Sequence, residues 1–219
     1  MSSQLIQILL LAGVALFLVL RLRDVLGTRD GFEGPPGPKR TQDAPPRNFE
    51  VIDGGGPDPD VADHVDVESD VGKALLEMKK VEPEFSVTDF ANGARQVYEM
   101  ILMAYENGDL DTLEQFLAPD VYESFAAAVF DRADKQLTVE ANFVGIREMK
   151  IVGAEYHGDT GDGDITVRYV GELTSVVKDP EGEIVEGEPD EIKRQKDTWT
   201  FSRRMGQDDP NWKLVATGE

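Results

Sequence analysis

The chain has 219 residues and a mass of 24.2 kDa, with 22 lysines and arginines against 43 acidic residues, giving a formal charge of −21 and a sequence pI near 4.4. So acidic a chain is a poor partner for nucleic acid, whose binding draws on clustered positive charge that releases counterions. The lack of any cysteine excludes disulfides, thiolate metal sites, cysteine nucleophiles and lipoprotein-type acylation together, and permits a reducing compartment.

The first element is an apolar run, SQLIQILLLAGVALFLVLRLRD. No charged side chain occurs from Met1 to Leu20, and a helix of about 20 residues spans about 30 Å, the hydrocarbon thickness of a bilayer. Leu5, Ile6, Leu9, Leu10, Val14, Phe17 and Leu20 are its candidate lipid-facing residues. A signal peptide calls for a positive start and a small-x-small cleavage site; here Met1-Ser2-Ser3-Gln4 opens the run and Leu20 passes directly into Arg21-Leu22-Arg23. Residues 1–23 are therefore expected to be a retained transmembrane anchor. Arg21, Arg23, Arg29, Lys39 and Arg40 all follow the span and none precedes it, which places the N-terminus outside and the remainder in the cytoplasm.

Residues 24–65 are expected to be a disordered, Pro/Gly-rich acidic linker. The stretch GFEGPPGPKRTQDAPPRNFEVIDGGGPDPD lacks an apolar period, and between Arg47 and Lys73 eight acids occur with no lysine or arginine. A flexible tether of roughly 40 residues has a mean reach of about 35 Å.

A folded domain is expected over 66–219. Val71, Ala74, Leu75 and Met78 repeat at helical spacing ahead of Pro83. Ser86-Val87-Thr88-Asp89 resembles a capping box, followed by Phe90, Ala94, Val97, Ile101, Leu102 and Tyr105 on one helical face up to Asn107-Gly108. A short helix from Asp111 stops before Pro119, and a further one carries Tyr122, Phe125, Ala126, Val129 and Phe130.

After Leu137 the period changes to two. A strand from Val144 to Tyr156, broken near Gly153, is followed by the turn HGDTGDGD and by a strand with Ile165, Val167, Tyr169, Gly171 and Leu173 on one face. The turn DPEGE leads to Thr198–Arg203, with Trp199, Phe201 and Arg203 on one face, and NWKLVAT closes the series by alternating Trp212, Leu214 and Ala216. Helices followed by meandering strands predict an α+β fold, with helices packed on one face of a curved antiparallel sheet and preceded by one transmembrane helix.

Little in this pattern supports chemistry. His64, in the acidic linker, and His157, beside a turn, read as surface residues. The acids of DTGDGD lack the glycine and glutamate spacing of an EF-hand, and no phosphate-cradling glycine loop ends in lysine. No catalytic, cofactor or metal residues are assigned. Tyr98, Leu102, Phe125, Val129, Tyr169, Trp199, Phe201 and Trp212 are the candidate lining of a pocket or groove for an apolar ligand or peptide; the competing reading is that they fill the core.

FANGARQVYEMILMAYENGDLDTLEQFLAPDVYESF, EGEIVEG, DTWTFSR and DPNWKLVAT resemble the Tim-forty-four-like adaptor family, which includes the matrix-side import-motor scaffold of mitochondria; RLRDVLGTRDGFEGPP also looks like its alphaproteobacterial TimA branch. The resemblance implies a cystatin-like or NTF-two-like cone and a non-enzymatic scaffold at the bacterial inner membrane. A chaperone, a ribosome or membrane machinery is its implied protein partner. The family's membrane-touching helices are basic, whereas the matching stretch here has Lys73, Lys79 and Lys80 amid acids, so attachment falls to the span. Two functions follow: a membrane-tethered adaptor that recruits a protein partner, in protein translocation or membrane-protein biogenesis, or a domain that binds or senses an apolar small molecule or peptide in its cavity.

Overall fold

A computed structural model describes residues 56–218. The expected anchor and most of the expected linker lie outside these residues. Among the described residues no helix is long and apolar enough to cross a membrane.

Among the described residues five helices come first: α1 (Pro59–Ala62), α2 (Asp70–Val81), α3 (Val87–Asn107), α4 (Leu110–Phe116) and α5 (Pro119–Asp134). Their boundaries follow local chemistry. Ser69 and Ser86 accept hydrogen bonds from the amides of Gly72 and Asp89, occupying the orphan donors at the starts of α2 and α3. Gly108, left-handed at φ 70°, ends α3. Asp109 caps α4, and Pro119 opens α5, where a missing amide hydrogen costs nothing.

The strands β1 (Thr138–His157), β2 (Asp162–Lys178), β3 (Ile184–Glu186), β4 (Lys193–Arg204) and β5 (Lys213–Gly218) form one antiparallel sheet in the order β1-β2-β4-β5, with β3 also paired to β2. Alternate residues of β2 are buried, so one face of the sheet meets the helices and the other meets solvent. Val167, Tyr169, Leu173, Trp199, Phe201 and Leu214 share a core with Phe90, Ala94, Tyr98, Ile101 and Leu102 of α3. Three register shifts interrupt β1, one of them at Ile151/Gly153, where the sequence predicts a break.

Two expectations need correction. The linker boundary at residue 65 falls too late, because Val61 of α1 is fully buried in the domain core. The Asp60 carboxylate accepts hydrogen bonds from the Val87 amide at 2.8 Å, the Thr88 amide at 3.0 Å and the Ser86 hydroxyl at 3.1 Å, thereby capping α3 from outside. Lys79 of α2 closes the clasp, 2.8 Å from Asp60 and 3.0 Å from Asp58. His64 belongs to this ordered stretch and pairs with the Thr88 hydroxyl at 3.0 Å. The second correction concerns Ala216, which is exposed rather than inward. The register shift between Thr200 and Phe201 inserts Val215 into β5, so that Leu214 faces Phe201, Ala216 faces Thr200, and Thr217, itself exposed, pairs with Trp199.

Candidate functional site

The eight candidate lining residues divide among four environments. Tyr98 and Tyr169 are fully buried and stack at 4.2 Å between ring centroids, with Trp199 4.7 Å from Tyr98. This is core packing. Burial raises the phenol of Tyr169 far above its ordinary pKa, and its hydroxyl donates to the Ala94 carbonyl at 3.2 Å. Val129, half-buried on α5, packs near Gly108 and lines neither of the two clefts described below.

Phe201 and Trp212 line a first cleft of about 340 Å³ together with Phe85, Phe90, Phe116 and Arg203. Phe90 lies edge-on to Trp212 at 4.8 Å and to Phe201 at 6.0 Å. The inward alternation of β4 carries a guanidinium into this apolar wall, and the chain neutralises it there. Arg203 donates to Glu82 at 2.8 Å, donates to the Asp209 carbonyl at 3.3 Å, and lies 5.1 Å from the Trp212 ring centroid. Burial works to raise the Glu82 carboxyl, but Arg203 and the Gly206 amide outweigh it and hold the group below the usual carboxylate value. The Arg203 Nε is buried without a hydrogen-bond partner.

Leu102, Phe125 and Trp199 line a second cleft, of about 410 Å³, between α3, α5 and the β4–β5 edge. Tyr105 joins them, its ring 5.2 Å from Phe125. On this wall lies Asp197, absent from the expected lining. Its carboxylate accepts from the Tyr98 hydroxyl at 2.6 Å and from the Gln195 amide at 3.0 Å. Burial, reinforced by the Asp197 charge, raises the Tyr98 phenol far above its ordinary value, so Tyr98 stays a donor. The predicted strand begins at Thr198; stepping back two residues from Trp199 along the same alternation leads to Asp197. His157, by contrast, lies at a sheet end and meets Asp164 at 3.2 Å.

Leu5, Ile6, Leu9, Leu10, Val14, Phe17 and Leu20 lie outside the described residues. Among those that are described, no group of three or more histidines and carboxylates is arranged to hold a metal ion.

Known proteins place this arrangement in a family. The chain is 26 % identical over 153 residues to mitochondrial import inner membrane translocase subunit TIM44-1 of Arabidopsis thaliana, a match covering 67 % of this chain and 32 % of the relative. It is 22 % identical over 165 residues to subunit TIM44 of Homo sapiens, covering 67 % and 33 %. The chain thus spans about a third of the length of these relatives. Among solved structures, the intermembrane space region of chloroplast protein ARC6 aligns at a TM-score of 0.41 and 8 % identity, over 58 % of this chain and 94 % of that one, a level that carries no argument. The Tim44-like domain profile matches residues 71–219, and the chain belongs to the Tim44-like family.

Proposed function

We propose that this protein is a non-enzymatic, membrane-tethered adaptor that recruits a protein partner to the inner membrane for protein translocation or membrane-protein biogenesis. The observation that carries this reading is the family match over 71–219, whose curated relatives are named as subunits of an import inner membrane translocase. The cystatin-like or NTF-two-like cone rests on it too, whereas the single N-terminal span at residues 1–23 and the cytoplasmic placement of the domain rest on the apolar run and the arginines that follow it.

We assign the docking surface for a partner to the arm around β3. The inward aromatics are packed, and apolar surface emerges instead on the arm around β3, where Ile184, Val185 and Ile192 are 45 %, 56 % and 53 % exposed. From Asp179 to Glu191 the arm carries seven acids and no lysine or arginine. It therefore fits a partner surface that is basic around an apolar groove.

Affinity purification from membranes tests the reading, using the full chain, a chain lacking Met1–Leu22, and an Ile184→Asp/Val185→Asp chain, with mass spectrometry of what is retained. A membrane-machinery partner held by the full chain and lost from both variants is the expected outcome. The same partners in all three, or none that depends on the anchor, overturns it. A reporter fused after Glu219 that is active in the periplasm overturns the topology.

A further inference from the structure

The second cleft contains an unbalanced charge. Asp197 projects a carboxylate onto a wall that carries Leu102, Tyr105, Phe125 and Trp199 beside the neutral polar side chains of Ser124, Gln195 and Thr217. Two of its acceptor sites are taken by Tyr98 and Gln195, and a carboxylate offers about four. Among the described residues no lysine, arginine or histidine lies within ion-pairing distance of it. Arg132, on the neighbouring α5, is engaged elsewhere: it lies over the Tyr105 ring at 4.4 Å and donates to the Tyr105 carbonyl.

An ionised group beside apolar walls gains most from a cation, because the walls keep water away and weaken screening. Aromatic rings add to the same preference, since their faces attract cations. The acidity of the chain, −21 overall, repels an anionic ligand before it arrives. The cleft, of about 410 Å³ and open to solvent on one side, has room for a small ligand.

We propose that this cleft binds an ammonium group carried on an apolar stem, with Asp197 as counter-ion and Leu102, Phe125 and Trp199 around the stem. Tyr98 and Gln195 are positioning residues, which hold the carboxylate in one orientation, Tyr98 from the core and Gln195 from the cleft wall. The site is separate from the β3 arm and independent of the adaptor reading.

The two tryptophans of the chain permit a direct test, because Trp199 lines this cleft and Trp212 the other. The full chain, labelled with 5-fluorotryptophan and held in nanodiscs of zwitterionic lipid, is titrated with pentylammonium, pentanol or pentanoate and followed by fluorine NMR. Trp212→Phe assigns the two lines. Pentylammonium should move the Trp199 line saturably, with a Kd at least about tenfold below those of the other two probes, while the Trp212 line stays in place. Asp197→Asn should remove that preference and leave pentanol unchanged. Ala128→Phe fills the cleft from α5 without touching the carboxylate and should abolish binding of all three, which keeps the test decisive if Asp197→Asn does not fold. Equal affinity for the three probes, a response at Trp212 alone, or an unchanged preference in Asp197→Asn overturns the proposal.

Discussion

Tyr98 of α3 closes directly over Gly171 of β2: a Cβ at position 171 would lie 2.4 Å from the Tyr98 hydroxyl oxygen and 3.1 Å from two ring atoms. The helix can approach the sheet this closely because residue 171 has no side chain, and the approach brings Tyr98 within 2.6 Å of Asp197.

Gly171→Ala is therefore expected to destabilise the domain by about 2 kcal/mol through overpacking. Tyr98→Phe alone should cost about 1–2 kcal/mol, because it deletes a donor to a charged acceptor. Since the nearest clash is with the hydroxyl, the double variant should be less destabilised than the sum of the two. Urea denaturation of the four proteins measures this coupling; strict additivity would place the tyrosine away from the glycine.

The clasp at the domain's entrance leads to a second expectation. Burial works to raise the Asp60 carboxyl, but Lys79 and the Val87 and Thr88 amides hold it well below its ordinary value of 3.8. A carboxyl depressed on folding contributes stability that is present above the unfolded value and lost as pH falls through the folded one. Asp60→Asn should cost about 2 kcal/mol at pH 7. The gap to wild type should narrow progressively below about pH 4, as thermal melts at pH 7, 4 and 3 would register. A chain that begins at residue 66 loses Val61 as well and should melt lower still.

Arg203 and Glu82 form a pair whose arginine side chain is only 6 % exposed. Removing one member leaves the other partly buried and unpaired, at a cost of about 3 kcal/mol for Arg203→Met. The double variant Arg203→Met/Glu82→Leu should recover much of that loss, because the cleft floor then becomes uniformly apolar. Chemical denaturation distinguishes this from an Arg203 that acts only through packing on Trp212, in which case the second substitution recovers nothing.

On the β3 arm the expectation is the reverse. Ile184→Asp and Val185→Asp replace exposed side chains and should change stability by less than about 0.5 kcal/mol. Loss of partner retention in these variants without a shift in melting temperature would separate docking from folding.

Much of the fold was legible because its signals are local. The helical period of Phe90, Ala94, Ile101 and Leu102, the Ser86 cap and the Gly108 stop each depend on residues within a turn or two. The inward series of β2, Ile165 to Leu173, needed only alternation. The three-residue β3 escaped notice because it is too short to show a period. The site was less legible. Aromatic residues mark a core and a cleft alike, and only the register of packing separated Tyr98 and Tyr169 from Phe125 and Trp212.

Sequence alone determined the order of helices and strands, the faces they bury, the acidity, and the family likeness. Tertiary structure decided the contacts whose partners lie far apart in the chain. Asp60 reaches the Val87 amide across 27 positions, and Tyr98 reaches Asp197 across 99. A single inserted residue in β5 decided that Thr217, and not Ala216, pairs with Trp199. Periodicity carries no information on such pairings, because they depend on how closely α3 approaches the sheet and on where the ladder slips. That approach also turned Asp197, one acid among many in the sequence, into the charged group of a cleft walled largely by Leu102, Tyr105, Phe125 and Trp199.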